Sequence, residues 1–329
     1  MRRAGCAAAL LAAAVAAPVE SAQATEGAVG RTILGSQMLA RPGVIAPLEL
    51  TAVSVTSFYF AGDLGASVQV PNAGLVTADA EGKASFTPIT ILKVWKVDGD
   101  WSFGSALTMP LLWVQSTATI SGAPGSLRVR QSNFGIYDLG FTPIIAGHRF
   151  TQLDQMSFKL TVFAPTGSYQ AGRLNNLGAN YWTVVPSIAA TKLSADRSVE
   201  LSGQLQLHVN SRNKATNYKT APALTFDALA SKSFQSGLGV GVILSLVQQL
   251  SKDEGPLADR LNGFQGRDFG IGPYASYSTK VAGQVPLDFT LRWVPSFTSK
   301  NRLAGNTVLL TASMPIAVKM PAAATPAAP

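Results

Sequence analysis

Cysteine is almost missing from this chain. Cys6 is the single one among 329 residues, and it sits in what reads as an export leader. With the leader removed no thiol remains, which excludes disulfides, thiolate nucleophiles and cysteine metal sites. Charge is scarce as well. Asp, Glu, Lys and Arg make up 13% of the residues, against about a quarter in ordinary soluble domains, while mean hydropathy is positive at +0.21. Yet no apolar run beyond the leader approaches the ~20 residues that a membrane helix requires. Histidine occurs twice, a poor supply of ligands for a transition metal, so neither a metal nor another cofactor is expected. The net charge is +8, but no basic cluster is interleaved with aromatics, so nucleic acid is not an expected partner. A phosphate-cradling glycine loop is also lacking. Gly237, Gly239 and Gly241 recur at spacing two, as positions in a strand that allow close packing or a bend.

The two ends are of a different kind from the middle. Arg2 and Arg3, the apolar run from Ala7 to Ala17 and the small-x-small triplet Ala22-Gln23-Ala24 form a secretory signal peptide over residues 1–24. Residues 25–49 are punctuated by Gly and Pro and weakly patterned, which favours a plain leader over a plug inside a lumen. Residues 321–329 are all Ala, Pro and Thr and are expected to be disordered.

Between those ends the dominant signal is alternation. In Val199–Asn210, Val199, Leu201, Leu205, Leu207 and Val209 alternate with Glu200, Ser202, Gln204, Gln206, His208 and Asn210. This is the period of a strand with one apolar and one polar face. Twelve such segments are expected: Leu50–Phe60, Ser85–Val97, Trp101–Val114, Asn133–Gly147, a hairpin within residues 155–193, Val199–Asn210, Pro222–Ser231, Gln235–Leu250, Arg267–Lys280, Val285–Thr298 and Asn306–Lys319. Connections alternate between long and short, as in outer-membrane barrels with short periplasmic turns and longer outside loops. A sheet spanning lipid has to close, because an open edge would leave unpaired amides in hydrocarbon. The expected fold is therefore all-β, a 12-stranded antiparallel transmembrane β-barrel over residues 50–320, in the bacterial outer membrane. Pro110, Pro143, Pro186, Pro273, Pro286 and Pro295 fall inside these segments and are expected to mark strand ends or bulges, since proline removes a ladder donor.

The most ornate stretch is Leu160 to Leu193. Its strands flank a turn-rich loop carrying Ala164-Pro165-Thr166-Gly167-Ser168-Tyr169, then Leu174-Asn175-Asn176-Leu177-Gly178-Ala179-Asn180-Tyr181-Trp182, with Pro186 beyond. This pattern resembles the phenol meta-pathway degradation family of outer-membrane β-barrel transporters. Later echoes are Gly272-Pro273 followed by Tyr277, and Asn301-Arg302 followed by Gly305-Asn306. The resemblance singles out Pro165, Thr166, Gly167, Tyr169, Asn175, Asn176, Gly178, Asn180 and Trp182 as a motif loop and implies transport of small, aromatic or hydrophobic molecules.

If the apolar parity faces lipid, the polar parity faces the lumen. Asp138, Thr142, Lys159, Glu200, Gln204, Gln206, His208, Asp227, Asp268, Asp288 and Arg292 are then candidates to line a solute path. The partners expected are outer-membrane lipid and a small solute. The leading expectation is a passive channel and not an enzyme. The alternatives are a barrel lipid hydrolase built on His208, and a structural barrel with a blocked lumen.

Overall fold

The structure, a computed structural model, describes residues 31–319 apart from 37, 39, 64–69, 74, 123–124 and 262. The expected signal peptide and tail lie outside the described residues. In chain order the strands are β1 (Leu50–Asp63), β2 (Val70–Asn72), β3 (Leu75–Asp98), β4 (Trp101–Gly122), β5 (Gly125–Ile136), β6 (Gly140–Arg149), β7 (Asp154–Phe163), β8 (Thr183–Leu193), β9 (Val199–Asn210), β10 (Ala223–Ser233), β11 (Leu238–Gln249), β12 (Arg267–Val281), β13 (Val285–Lys300) and β14 (Ala304–Val318). A five-residue helix, α1 (Pro256–Arg260), lies between β11 and β12.

Every pairing is antiparallel, and β1 closes the wall against β14 from Leu50↔Val318 to Asp63↔Ala304. β5 and β6 share one position, pairing with successive halves of β4. β2 is a short appendage on β3. The wall is thus a closed cylinder of twelve strands, as the alternation predicts. Closure satisfies the backbone groups that lipid cannot.

The parity is also as expected. On β9, Leu201 is 54% exposed on the outside, whereas Glu200, Ser202, Gln204, Gln206, His208 and Asn210 are buried on the inside. Near the short-turn end the outer surface carries a girdle in which Trp95 and Trp101 stack on Phe103, and His148 lies between Trp101 and Phe150 at 4.6 and 4.4 Å. Amphipathic rings of this kind belong at the lipid headgroup level.

Two stretches depart from the expected pattern. Within 61–84 and 115–132, expected as loops, the described residues are largely strand, so β3 and β4 run for 24 and 22 residues. They carry the wall beyond the lipid, where no apolar parity is required and a polar strand reads like a loop. The expected unbroken strand Asn133–Gly147 is interrupted at 137–139. There the Tyr137 N–H donates to the Pro110 carbonyl at 2.9 Å. Pro110 has no N–H to continue the ladder, and β4 changes partner from β6 to β5 around it. Pro143 likewise sits in the register shift between Phe141 and Ile144.

The turns at the short-turn end are locally tied. In 194–198, hydrogen bonds from the Ser194 and Ser198 hydroxyls to Asp196 hold its carboxyl down at about 2. Because the folded value is depressed, the stabilisation is present above the ordinary carboxylate range and is lost as pH falls towards 2. An Asp196→Asn variant is therefore expected to unfold more readily than the parent at neutral pH and to match it near pH 2, so that the acid limb of the difference disappears, as measured by tryptophan fluorescence.

Candidate functional site: the lumen and the segment inside it

Residues 31–49, apart from 37 and 39, make their contacts with inward-facing side chains of the wall; 25–30 lie outside the described residues. The described residues of the segment form no helix or strand before Leu50, so their backbone groups find other partners away from water. Inward polar side chains supply them. Ser245 Oγ accepts from the Gly35 N–H at 2.8 Å, Thr191 Oγ1 from Gly43 at 3.1 Å and Glu200 from Arg41 at 3.1 Å. Ser157 donates to the Pro42 carbonyl at 2.7 Å. Arg292 donates to the carbonyls of Gly35 and Met38 and, at 3.0 Å, to Thr311 Oγ1; Arg302 donates to the Thr32 carbonyl. Leu34 and Met38 pack with Leu229, Ile243, Val247, Tyr274 and Val294. These inward apolar residues interrupt the polar parity at the places where the segment covers them. Gly43 fits because any Cβ there would collide with the backbone of Thr191.

At the outer end the segment is held by one buried ion pair. Arg31 Nη2 meets Asp138 Oδ2 at 2.6 Å, with the two side chains 5% and 0% exposed. The guanidinium also lies over the rings of Tyr137, Phe163 and Tyr181, at 5.4, 5.3 and 5.2 Å from their centroids, an arrangement that favours a cation.

Asp138 has a second task. Its carboxylate accepts from the Gly167 and Ala179 N–H groups at 2.8 and 2.9 Å, so one side chain gathers both arms of the motif loop. Gly167 and Gly178 cross so closely that a Cβ on either would strike the other's backbone neighbourhood. Thr166 Oγ1 accepts from Leu139, and Pro165 leads into that contact. Asn176 closes a small ring with the Gln170 backbone, and Asn175 is bound to Gln131. Asn180, in the left-handed region at φ 59°, donates to Asn213 Oδ1, while Asn213 donates to the Tyr169 hydroxyl. Trp182 turns outward, 52% exposed. The motif residues thus fold a loop over the mouth and tie it to the next outside loop. That loop in turn meets the one bearing α1, where Tyr218, Ala258, Leu261 and Phe264 pack together and Tyr218 donates to Asp253 at 2.6 Å.

Beside the segment remains a cavity of about 810 Å³. Of the candidate residues, Lys159, Glu200, Gln204, Gln206, Asp288, Arg292 and Thr142 line it. Asp288 accepts from Ser278 at 2.6 Å, and Glu200 faces Arg41 at 3.7 Å. Asp138 and Asp227 are buried behind the segment, and Asp268 accepts from Ser296 at 3.2 Å. His208 is only 2% exposed and faces a separate small cavity of about 20 Å³ near Arg302 and Asn210. Neither of its ring nitrogens has a hydrogen-bond partner among the described residues. A hydrolase needs a base within reach of a nucleophile, and His208 forms no such pair among the described residues. Threonines along the cavity wall bond to each other across strands: Thr56 with Thr311, Thr90 with Thr108 and Thr142 with Thr161, at 3.0, 2.8 and 2.9 Å. Phe58, Phe86 and Tyr137 form an edge-to-face row on the same wall, with centroids 6.0 and 5.6 Å apart.

Sequence reasoning missed Arg31 altogether and placed Asp138 on a solute path instead of at a buried junction. Arg302 was noted only as an echo of the motif. The available signal was the rarity of charge: an arginine in a weakly polar leader needs a partner if that leader is buried.

A family model described as "Putative MetA-pathway of phenol degradation" matches residues 65–312. An outer-membrane channel of known crystal structure from Pseudomonas putida F1 superimposes with a TM-score of 0.66 at 14% identity, over 85% of this chain and 99% of that one. A FadL homologue from Pseudomonas aeruginosa gives 0.42 at 11% identity, over 90% and 99%. No curated protein matches the sequence.

Proposed function

This chain belongs to the outer-membrane β-barrel family that the phenol-degradation model describes, and from that premise we propose that it is a passive channel for small aromatic or hydrophobic molecules. The observation that carries the reading is the wall of the 810 Å³ cavity. Six of its threonine hydroxyls are paired across strands, and Phe58, Phe86 and Tyr137 stand in an edge-to-face row on the same wall. A sugar entering there has to exchange its water contacts for the wall's remaining hydroxyls and amides, which is costly wherever the match is incomplete. An arene loses little and gains contact with Phe58, Phe86 and Tyr137. Residues 31–49 act in this reading as a resident constriction, narrowing the lumen to that one-sided path.

Proteoliposome swelling tests it. Phenylalanine, which crosses lipid slowly and carries no net charge, is expected to enter faster than a sugar of similar volume. Equal rates, or rates equal to those of empty vesicles, would overturn the reading.

A further inference from the structure

We infer that the solute this cavity prefers is an aromatic monoanion, an arene carboxylate, with the ammonium of Lys159 as its counter-charge. The inference rests on the channel reading and narrows it. The cavity is lined by Arg31, Arg41, Lys159 and Arg292, with Lys83 at its rim, against two carboxylates, Glu200 and Asp288. Most of these charges are already engaged. Arg31 is paired with Asp138 and Arg41 with Glu200; Arg292 donates to the carbonyls of Gly35 and Met38 and Asp288 accepts from the Ser278 hydroxyl, each keeping its charge. Lys83 and Lys159 make no ion pair among the described residues; Lys83 is exposed, whereas Lys159 is half-buried in the wall on β7. A cation left without a counter-ion inside a narrow passage attracts and concentrates anions, because low-dielectric walls focus its field.

The surroundings of Lys159 indicate what the rest of the anion must be. On the inward face of β7 the order is Ser157, Lys159, Thr161, Phe163. Ser157 is committed to Pro42, and Thr161 is bonded to Thr142. Across the ladders Lys159 is flanked by Ile145 and Ser187, and the Ser187 hydroxyl is turned back to the Lys159 carbonyl. Phe163, in the aromatic collar around Arg31, lies four residues on, about 13 Å at the rise of a strand. Along β7 the passage therefore offers an ammonium without an ion pair, then the hydrogen-bonded Thr161, then aromatic rings. A carboxylate carried on an arene meets that order; a sugar, a polyol or a cation does not.

The mature protein in proteoliposomes at neutral pH, given benzoate, phenylalanine and benzyltrimethylammonium in turn, provides the test. Benzoate is expected to enter at least about tenfold faster than the cation. Lys159→Gln is expected to abolish that preference, and Lys159→Glu to reverse it. Benzoate no faster than the cation in the unaltered protein, with phenylalanine still faster than a sugar, would overturn this inference and leave the channel reading standing. A Lys159→Gln variant that slows all three probes equally, or none, would also overturn it. Failure of every probe to exceed empty vesicles removes the channel reading and this inference together. The ratio in the unaltered protein decides the matter even if a variant assembles poorly.

Discussion

Deleting residues 31–46 is expected to raise single-channel conductance severalfold. The segment lies along the lumen from the Arg31–Asp138 pair at the outer mouth to Ile45, which packs with Val94 and Ile145 towards the short-turn end. None of the twelve wall strands takes a ladder hydrogen bond from it, so the cylinder closes without it. Its loss exposes Leu229, Ile243, Val247 and Val294 to lumen water and removes the backbone partners of Arg292 and Arg302. Some stability is therefore lost along with the obstruction. Arg31→Ala, which unties only the outer end, is expected to give a smaller and fluctuating increase. Planar-bilayer recordings check both, and a conductance unchanged by the deletion would show that the segment does not limit the path.

The second large effect is at Asp138. Asp138→Ala is expected to cost about 3–5 kcal/mol, because it leaves the Arg31 guanidinium buried without its anion and two amides, of Gly167 and Ala179, without an acceptor. The loss should be local. The carboxylate joins the motif loop to the lumen segment, and the wall ladders do not pass through it. Limited proteolysis is expected to cut within 164–182 far faster in the variant, while the heat needed to convert the folded barrel to its slow-migrating unfolded form on gels falls only modestly. Asp138→Asn keeps one acceptor oxygen and the volume but loses the charge, and should lie between. A loop as resistant in Asp138→Ala as in the parent would sink this account of the motif.

These two effects involve different kinds of information. The strands of β9 could be read residue by residue, since each Leu or Val that faces acyl chains is followed by a Glu, Ser, Gln or His that cannot. The polar extensions of β3 and β4 were hidden because lipid no longer enforces the alternation there. The motif loop was conspicuous in the sequence, yet its organising carboxylate lies 29 residues before Gly167 and 41 before Ala179. Arg31 is 107 residues from that same carboxylate. Periodicity says nothing about such pairs, because they are made between elements whose spacing in the chain is arbitrary.

By itself, the sequence determined that this protein is a closed wall with its apolar side outward, since a chain with little charge, no long apolar run and period-two patterning can satisfy its amides in lipid in no other way. Only the tertiary structure decided what lies inside the wall. The segment 31–49 has no period of its own, and its partners come from strands all around the cylinder, which meet it only once the barrel has closed.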